Sequence, residues 1–260
     1  MNGLMLHTGA KALSGRDELA SLPVGKPMGS RHAIRPFIDD VMTVTEQLAK
    51  IGMPVVNESF GVTRGEDGVP KQFFGLMECK DERTYTERDH GLMIGLRGSY
   101  DQTLPRGMAI GGRVFVCDNL CFSGEITVKT KQTLDIDARI ADMLRDAISR
   151  VPQFVAHQDR RFDNYKHVEI GQTVGNSMLT DLVRIGALNA SQIGVALKEW
   201  DNPRHAEHAQ HGWSLWRLHN ACTEALKPAN KDTNAVQRNW GRTIQLTDML
   251  DREVEHRLAA

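Results

Sequence analysis

The chain has 260 residues, 40% hydrophobic and 25% charged, which is enough apolar material for one large core or two smaller ones. Its 32 basic and 33 acidic residues leave a net charge of -1; this excludes a global basic field that draws a protein onto nucleic acid or anionic membrane, so any polyanion site must be a local patch. No apolar run approaches the roughly 18 residues that cross a bilayer, and the amino terminus lacks a basic region followed by an apolar signal core, so the expected setting is the cytoplasm with no membrane partner.

In chain order, residues 1–35 carry several glycines, two prolines and the scattered basic residues Lys11, Arg16, Lys26, Arg31, His32 and Arg35, with no sustained apolar period. They read as an irregular arm. Pro36 is a suitable first-turn residue, and Phe37, Val41, Val44, Leu48 and Ile51 follow at helical spacing before the stop signals Gly52 and Pro54. Two β-rich segments, VVNESFGVTR and QFFGLMECK, flank GEDGVPK and predict a hairpin. A second pair, HGLMIGLRGS and GMAIGGRVFVC, flanks YDQTLPR. In GEITVKTK, Ile126 and Val128 alternate with Thr127, Lys129 and Lys131, the pattern of a half-exposed strand.

The clearest helix is DIDARIADMLRDAISRV, with Ile136, Ile140, Met143, Leu144, Ala147, Ile148 and Val151 on one stripe and Pro152 expected to close it. Beyond about residue 158 the signals are helical: SMLTDLVRIGAL, NASQIGVALKEW with Asn189 as cap and Gln192 three residues later, WSLWRLHNACTEALKP, and a last stretch through TIQLTDMLDREVEHRL. The expected fold class is therefore α+β: a largely antiparallel sheet of about five strands flanked by helices, followed by an all-helical C-terminal part. The domain reading is an arm over 1–35, an α+β core over 36–157 and a helical region over 158–260.

Chemistry concentrates between residues 96 and 131. Arg97, Ser99, Asp101, Arg106 and Arg113 surround a glycine-rich turn, where guanidinium groups and backbone amides can converge on an anion. Asp118 and Asn119, with Lys129 and Lys131 on the next strand, would extend that surface; the alternative is a sheet whose loop tips are simply polar. Cys79, Cys117, Cys121 and Cys222 form no dense framework and read as free thiols, and the Cys117/Cys121 spacing is not that of a zinc knuckle. His205, His208 and His211 stand three apart; a shared metal is one reading, a solvated polar segment ahead of a helix the other. In WSLWRLHNACTEALK, Trp213, Trp216, Leu218, Ala221, Cys222 and Leu226 form a core stripe, with Asn220, Thr223 and Glu224 as a polar group that is structural or functional. No glycine-flanked serine, Cys/His pair, nucleotide-binding loop or metal-binding carboxylate pair is recognisable, so neither catalysis nor a cofactor is expected.

LMIGLRGSYDQTLPRGMAIGGRVFVCDNLCFSG and WSLWRLHNACTEAL together resemble two blocks of a phage- and plasmid-encoded family of unknown function. Two departures stand out: the turn Arg97-Gly98-Ser99-Tyr100-Asp101 lacks that family's histidine, and Asp118 splits its Cys-Asn pair. The resemblance implies a mobile-element origin and no established activity. The strand-rich core followed by a long helix is also similar in order to Rad52-like single-strand annealing proteins. Two function classes follow. One is single-stranded nucleic-acid binding or annealing in phage recombination, with Arg97, Arg106, Arg113, Asn119, Lys129 and Lys131 as contacts. The other is a non-enzymatic phage protein that binds a host factor of the defence or replication machinery. Self-association into a homo-oligomer is compatible with either.

Overall fold

In the computed structural model, which describes residues 10–80, 90–114, 119–227 and 235–259, Pro36 caps the first long helix, α2 (Phe37–Lys50). A proline there loses no hydrogen bond, because the first amides of a helix have no intrahelical acceptor. The helix buries Phe37, Val41, Val44 and Leu48, the stripe read from the sequence. It stops at Gly52, whose φ of 74° is a left-handed conformation that glycine reaches without strain.

The fold is α+β, with one open antiparallel sheet of six strands in sequence order: β1 (Lys11–Ala12), β2 (Val55–Arg64), β3 (Pro70–Cys79), β4 (His90–Ser99), β5 (Arg106–Val114) and β6 (Asn119–Thr130). Both expected hairpins are present. In the first, Phe60 sits opposite Gly75 and Val62 opposite Phe73; in the next pairing, Phe73 faces Gly98 and Met77 faces Ile94. These residues share one side of the pleat. Phe37 of α2 stacks on Phe73 with centroids 5.0 Å apart and on Tyr100 at 4.0 Å, so α2 closes the core on this side. Helix α3 (Ile136–Ser149) packs beside α2 and buries Ile136, Ile140, Leu144, Ala147 and Ile148.

The segment expected as an irregular arm carries β1 and a short helix, α1 (Arg16–Ser21). Its apolar period is hidden because α1 buries Leu19 alone, while a polar contact fixes it: Arg16 Nε donates to Glu58 Oε1 at 2.7 Å. Pro152 also departs from expectation. The long helix breaks at Arg150, and α4 (Val151–His167) begins at once, with Pro152 in its first turn, where the missing amide hydrogen costs nothing.

One polar network joins the elements of this part. Asp40, in the first turn of α2, accepts from Arg35 Nε at 2.8 Å and from Arg106 Nη1. Arg106, fully buried, also donates to the Arg35 carbonyl, and through Nε to Gln132 Oε1 at 3.2 Å. Gln132 donates in turn to the Ser99 carbonyl, and Arg35 reaches Asp137 of α3 at 2.8 Å.

The described residues fall into two compact units, one running to Gly111 and again from Gly124 to Pro152, the other holding Gly112–Ser123 and everything from Gln153 onward. The second unit is mainly helical: α5 (Gly171–Arg184), α6 (Ala190–Asp201), α7 (Ala206–Ala209), α8 (Leu215–Leu226) and α9 (Ala235–Ala259) follow α4. Asn189 and Gln192 form the expected reciprocal cap of α6. Eleven of the twelve residues of α8 are buried, so the helix is enclosed on every side and not on a single stripe. Its Asn220 and Thr223 side chains donate to the carbonyls of Trp216 and His219, each at 2.9 Å, which satisfies polar groups inside an apolar surround.

Two substitutions test this packing. Arg106→Leu leaves Arg35 alone on the buried Asp40 carboxylate and takes the donor from Gln132 Oε1 and the Arg35 carbonyl, and is expected to lower unfolding free energy by about 3 kcal/mol, read from urea denaturation. Gly175→Ala would place a Cβ 2.2 Å from Trp200 Cζ2; overpacking of about 1–3 kcal/mol should outweigh alanine's helix preference of roughly 1 kcal/mol, so the variant should melt earlier in a thermal scan.

Candidate functional site

Strand alternation decides which candidate residues can act together. A Cβ on Gly98 would lie 3.3 Å from Arg106 Cγ and 3.5 Å from Phe37 Cε1, so Gly98 and Arg106 face α2. Their neighbours Arg97 and Gly107 therefore point to the opposite face. A Cβ on Gly107 would sit 3.7 Å from Lys129 Cγ, which puts Lys129 on that second face too. Phe74 of β3 is the cross-strand partner of Arg97 there.

The glycine-rich turn does not gather its polar groups onto one point. Arg97 and Arg106 diverge to opposite faces, and Arg106 is committed to Asp40, Gln132 and the Arg35 carbonyl. This removes Arg106 from the expected contact set: a guanidinium with no exposed surface, bonded to interior partners, holds the fold together. Arg97 is nearly buried, and that burial pushes its guanidinium pKa down. The Ser99 hydroxyl accepts from the Leu104 amide at 2.9 Å and closes the loop. Asp101 accepts from the Thr103 amide at 3.1 Å and hydroxyl at 2.6 Å. Burial raises the Asp101 carboxyl, and these bonds more than offset it, leaving the pKa below the usual aspartate value. Polar residues in this loop shape the turn itself.

Lys129 and Lys131 remain at the surface. Both are exposed, and neither ammonium is engaged by a described residue, unlike Arg139, which grips Asp135, Thr133 and the Lys131 carbonyl. They stand two residues apart: Lys129 is the next-to-last residue of the outermost strand, β6, and Lys131 the first residue past its end. Exposed Thr127 continues the row, while Ile126 and Val128 point inward. Beside Lys129 the strands approach closely: a Cβ at the buried Gly107 would meet the Val128 carbonyl oxygen at 2.5 Å, so only glycine lets β5 and β6 come together as they do. Lysines on an edge strand also discourage strand-to-strand aggregation, a use that needs no ligand.

Arg113 and Asn119 lie on β5 and β6, and their side chains, like Cys117, Asp118 and the Cys121 thiol, fall outside the described residues. Phe60, Phe73, Phe74 and Tyr100 are all buried, so among the described sheet residues no aromatic ring is exposed for base stacking.

The histidine string is not simply solvated. His208 is buried, and its ring meets that of His205 with centroids 5.2 Å apart; His211 is exposed. Among the described residues no group of three or more His, Cys, Asp or Glu is placed to hold a metal ion. The sequence did not single out Arg204, which pairs with both Glu199 and Glu224, because ion pairs between separate helices leave no spacing pattern.

No family model matches the chain, and no curated protein or solved structure is significantly similar to it. Among the described residues no helix is long and apolar enough to cross a membrane.

Burial raises both described thiols, Cys79 up to about 12 and Cys222 further, which suppresses the reactive thiolate. Neither should be alkylated by iodoacetamide at neutral pH while the protein is folded, and both should be in denaturant; peptide mapping by mass spectrometry reads this directly.

Proposed function

We propose that the protein binds single-stranded nucleic acid at the end of the outer strand β6, in keeping with the similarity in element order to Rad52-like annealing proteins. The observation that carries this reading is the pair of exposed lysines Lys129 and Lys131, whose ammonium groups no described residue engages, at and just past the end of the edge strand. Exposed ammonium groups so near each other in the chain can meet neighbouring phosphates, and phosphate contacts supply sequence-independent affinity. The order of antiparallel strands followed by a long helix agrees with the reading at the level of fold, which is weak support for function. Near-zero net charge limits the contact to this local patch.

Fluorescence anisotropy with a labelled mixed-sequence oligonucleotide, run across a salt series, tests the proposal. Lys129→Ala and Lys131→Ala should each weaken binding several-fold and each reduce the salt slope by about 0.7. Tight binding that neither substitution alters would remove β6 as the site. No salt-sensitive binding at low ionic strength would overturn the nucleic-acid reading and leave a host protein as the partner to seek. Light scattering on the same samples reports whether a homo-oligomer forms with the strand.

A further inference from the structure

Helix α7 is a single turn, Ala206–Ala209, and packs against α8. His208 is its one buried residue. The rest of the turn is exposed, and the neighbouring backbone bonds are local, from the His208 amide to the His205 carbonyl at 3.0 Å and from the Gly212 amide to the Ala209 carbonyl at 3.1 Å. Past Arg204, which is tied to Glu199 and Glu224, the one side chain that the turn buries is the His208 imidazole. Its Nε2 is buried with no hydrogen-bond partner, a state that suits the neutral ring and not the cation.

The charged surroundings do not rescue a protonated ring. From its own segment His205 lies edge-on at 5.2 Å and Glu207 is exposed. From α6 comes Glu199 and from α8 comes Glu224, the acidic groups that act on the ring from those helices. Both carboxylates are already neutralised, Glu199 by Arg204, and Glu224 by Arg204 and Lys227. A proton on His208 thus places a desolvated cation against the His205 ring, with its nearest anions already occupied.

We propose that the segment from His205 to Gly212, hinged at the ion-paired Arg204, is an acid-released cover over α8, closed at neutral pH over the uncharged His208 ring and opened when that ring takes up a proton. Opening uncovers the side of a helix that is otherwise enclosed, so mild acid creates apolar surface at one defined place while the remaining helices stay packed. This inference is independent of nucleic-acid binding.

The direction follows from linkage. Burial, and secondarily His205, lower the ring's pKa from 6.5 to about 4, against the weaker pull of Glu199, Glu207 and Glu224. A base whose closed-state value is depressed contributes nothing against closure above the open-state value. It disfavours closure increasingly as pH falls from 6.5 towards 4, and the effect levels off below that. With those two values the opening equilibrium rises about thirtyfold between pH 8 and pH 5.

Hydrogen exchange of the full chain, corrected for the intrinsic pH dependence of amide exchange, provides the test. On going from pH 8 to pH 5, amides 206–212 should lose protection by about that factor while α5 and the interior of α6 do not. His208→Gln should remove the pH dependence of this segment, and His205→Gln should reduce it. An equal loss of protection throughout the helical unit, or unchanged pH dependence in His208→Gln, would overturn the proposal. Should His208→Gln not fold, the imidazole of the natural chain is titrated by NMR: a midpoint well below the usual histidine value supports the cover, and a midpoint near 6.5 overturns it.

Discussion

Asp40 carries the constraint on which the α+β part depends. A carboxylate near the start of a helix is favoured by the helix dipole, but one buried beneath two guanidinium groups is stable only while both remain in place. Arg35 arrives from the segment before α2 and Arg106 from the first position of β5. Gln132 links Arg106 to the Ser99 carbonyl. Each partner comes from a different stretch of chain, so the network fixes the register between α2, the end of β4, the start of β5 and the turn into α3. The same commitment holds the strand order that brings Gly107 beside Lys129. Arg106 thus acts on the candidate surface at a distance, through geometry, without touching anything bound there.

Much of the fold was legible because it obeys local rules. Phe37, Val41, Val44 and Leu48 keep a helical period, and Ile126 and Val128 alternate strictly with exposed neighbours; both patterns survive in the structure because each element buries one side only. Asn189 and Gln192 announced their cap because both halves of that interaction lie within one turn. What stayed hidden is non-local. The N-terminal segment is ordered by Leu19 and by an ion pair between Arg16 and Glu58, forty-two residues away, and no periodicity records such a contact. Pro152 carries the same residue-level signal whether it ends one helix or begins the next, and the break at Arg150 decides between them.

The candidate site was legible in its residue types and not in its grouping. Arg97 and Arg106 flank the same turn in sequence, and a two-residue period would have to be traced through the six-residue loop 100–105 to learn that they face apart. Lys129 and Lys131 were visible as the exposed half of an alternating strand. That no described carboxylate pairs with them depends on where each acidic residue in this part of the fold lies. His208 is the converse case: a polar string reads as solvated, yet one of its three imidazoles is the sole inward-facing residue of its turn.

Helix α8 has a bearing on descent. A helix with one solvent-facing side can drift on that side at little cost, whereas eleven buried positions out of twelve leave residues 215–226 almost no neutral surface. Substitutions there must preserve volume on every side at once, and its polar positions are committed too, Arg217 to the carbonyls of Trp200 and Asp201 and Glu224 to Arg204. Across divergent relatives the neighbours would change before this stretch does, and the twelve residues of α8 should outlast the rest of the helical unit as a mark of common ancestry.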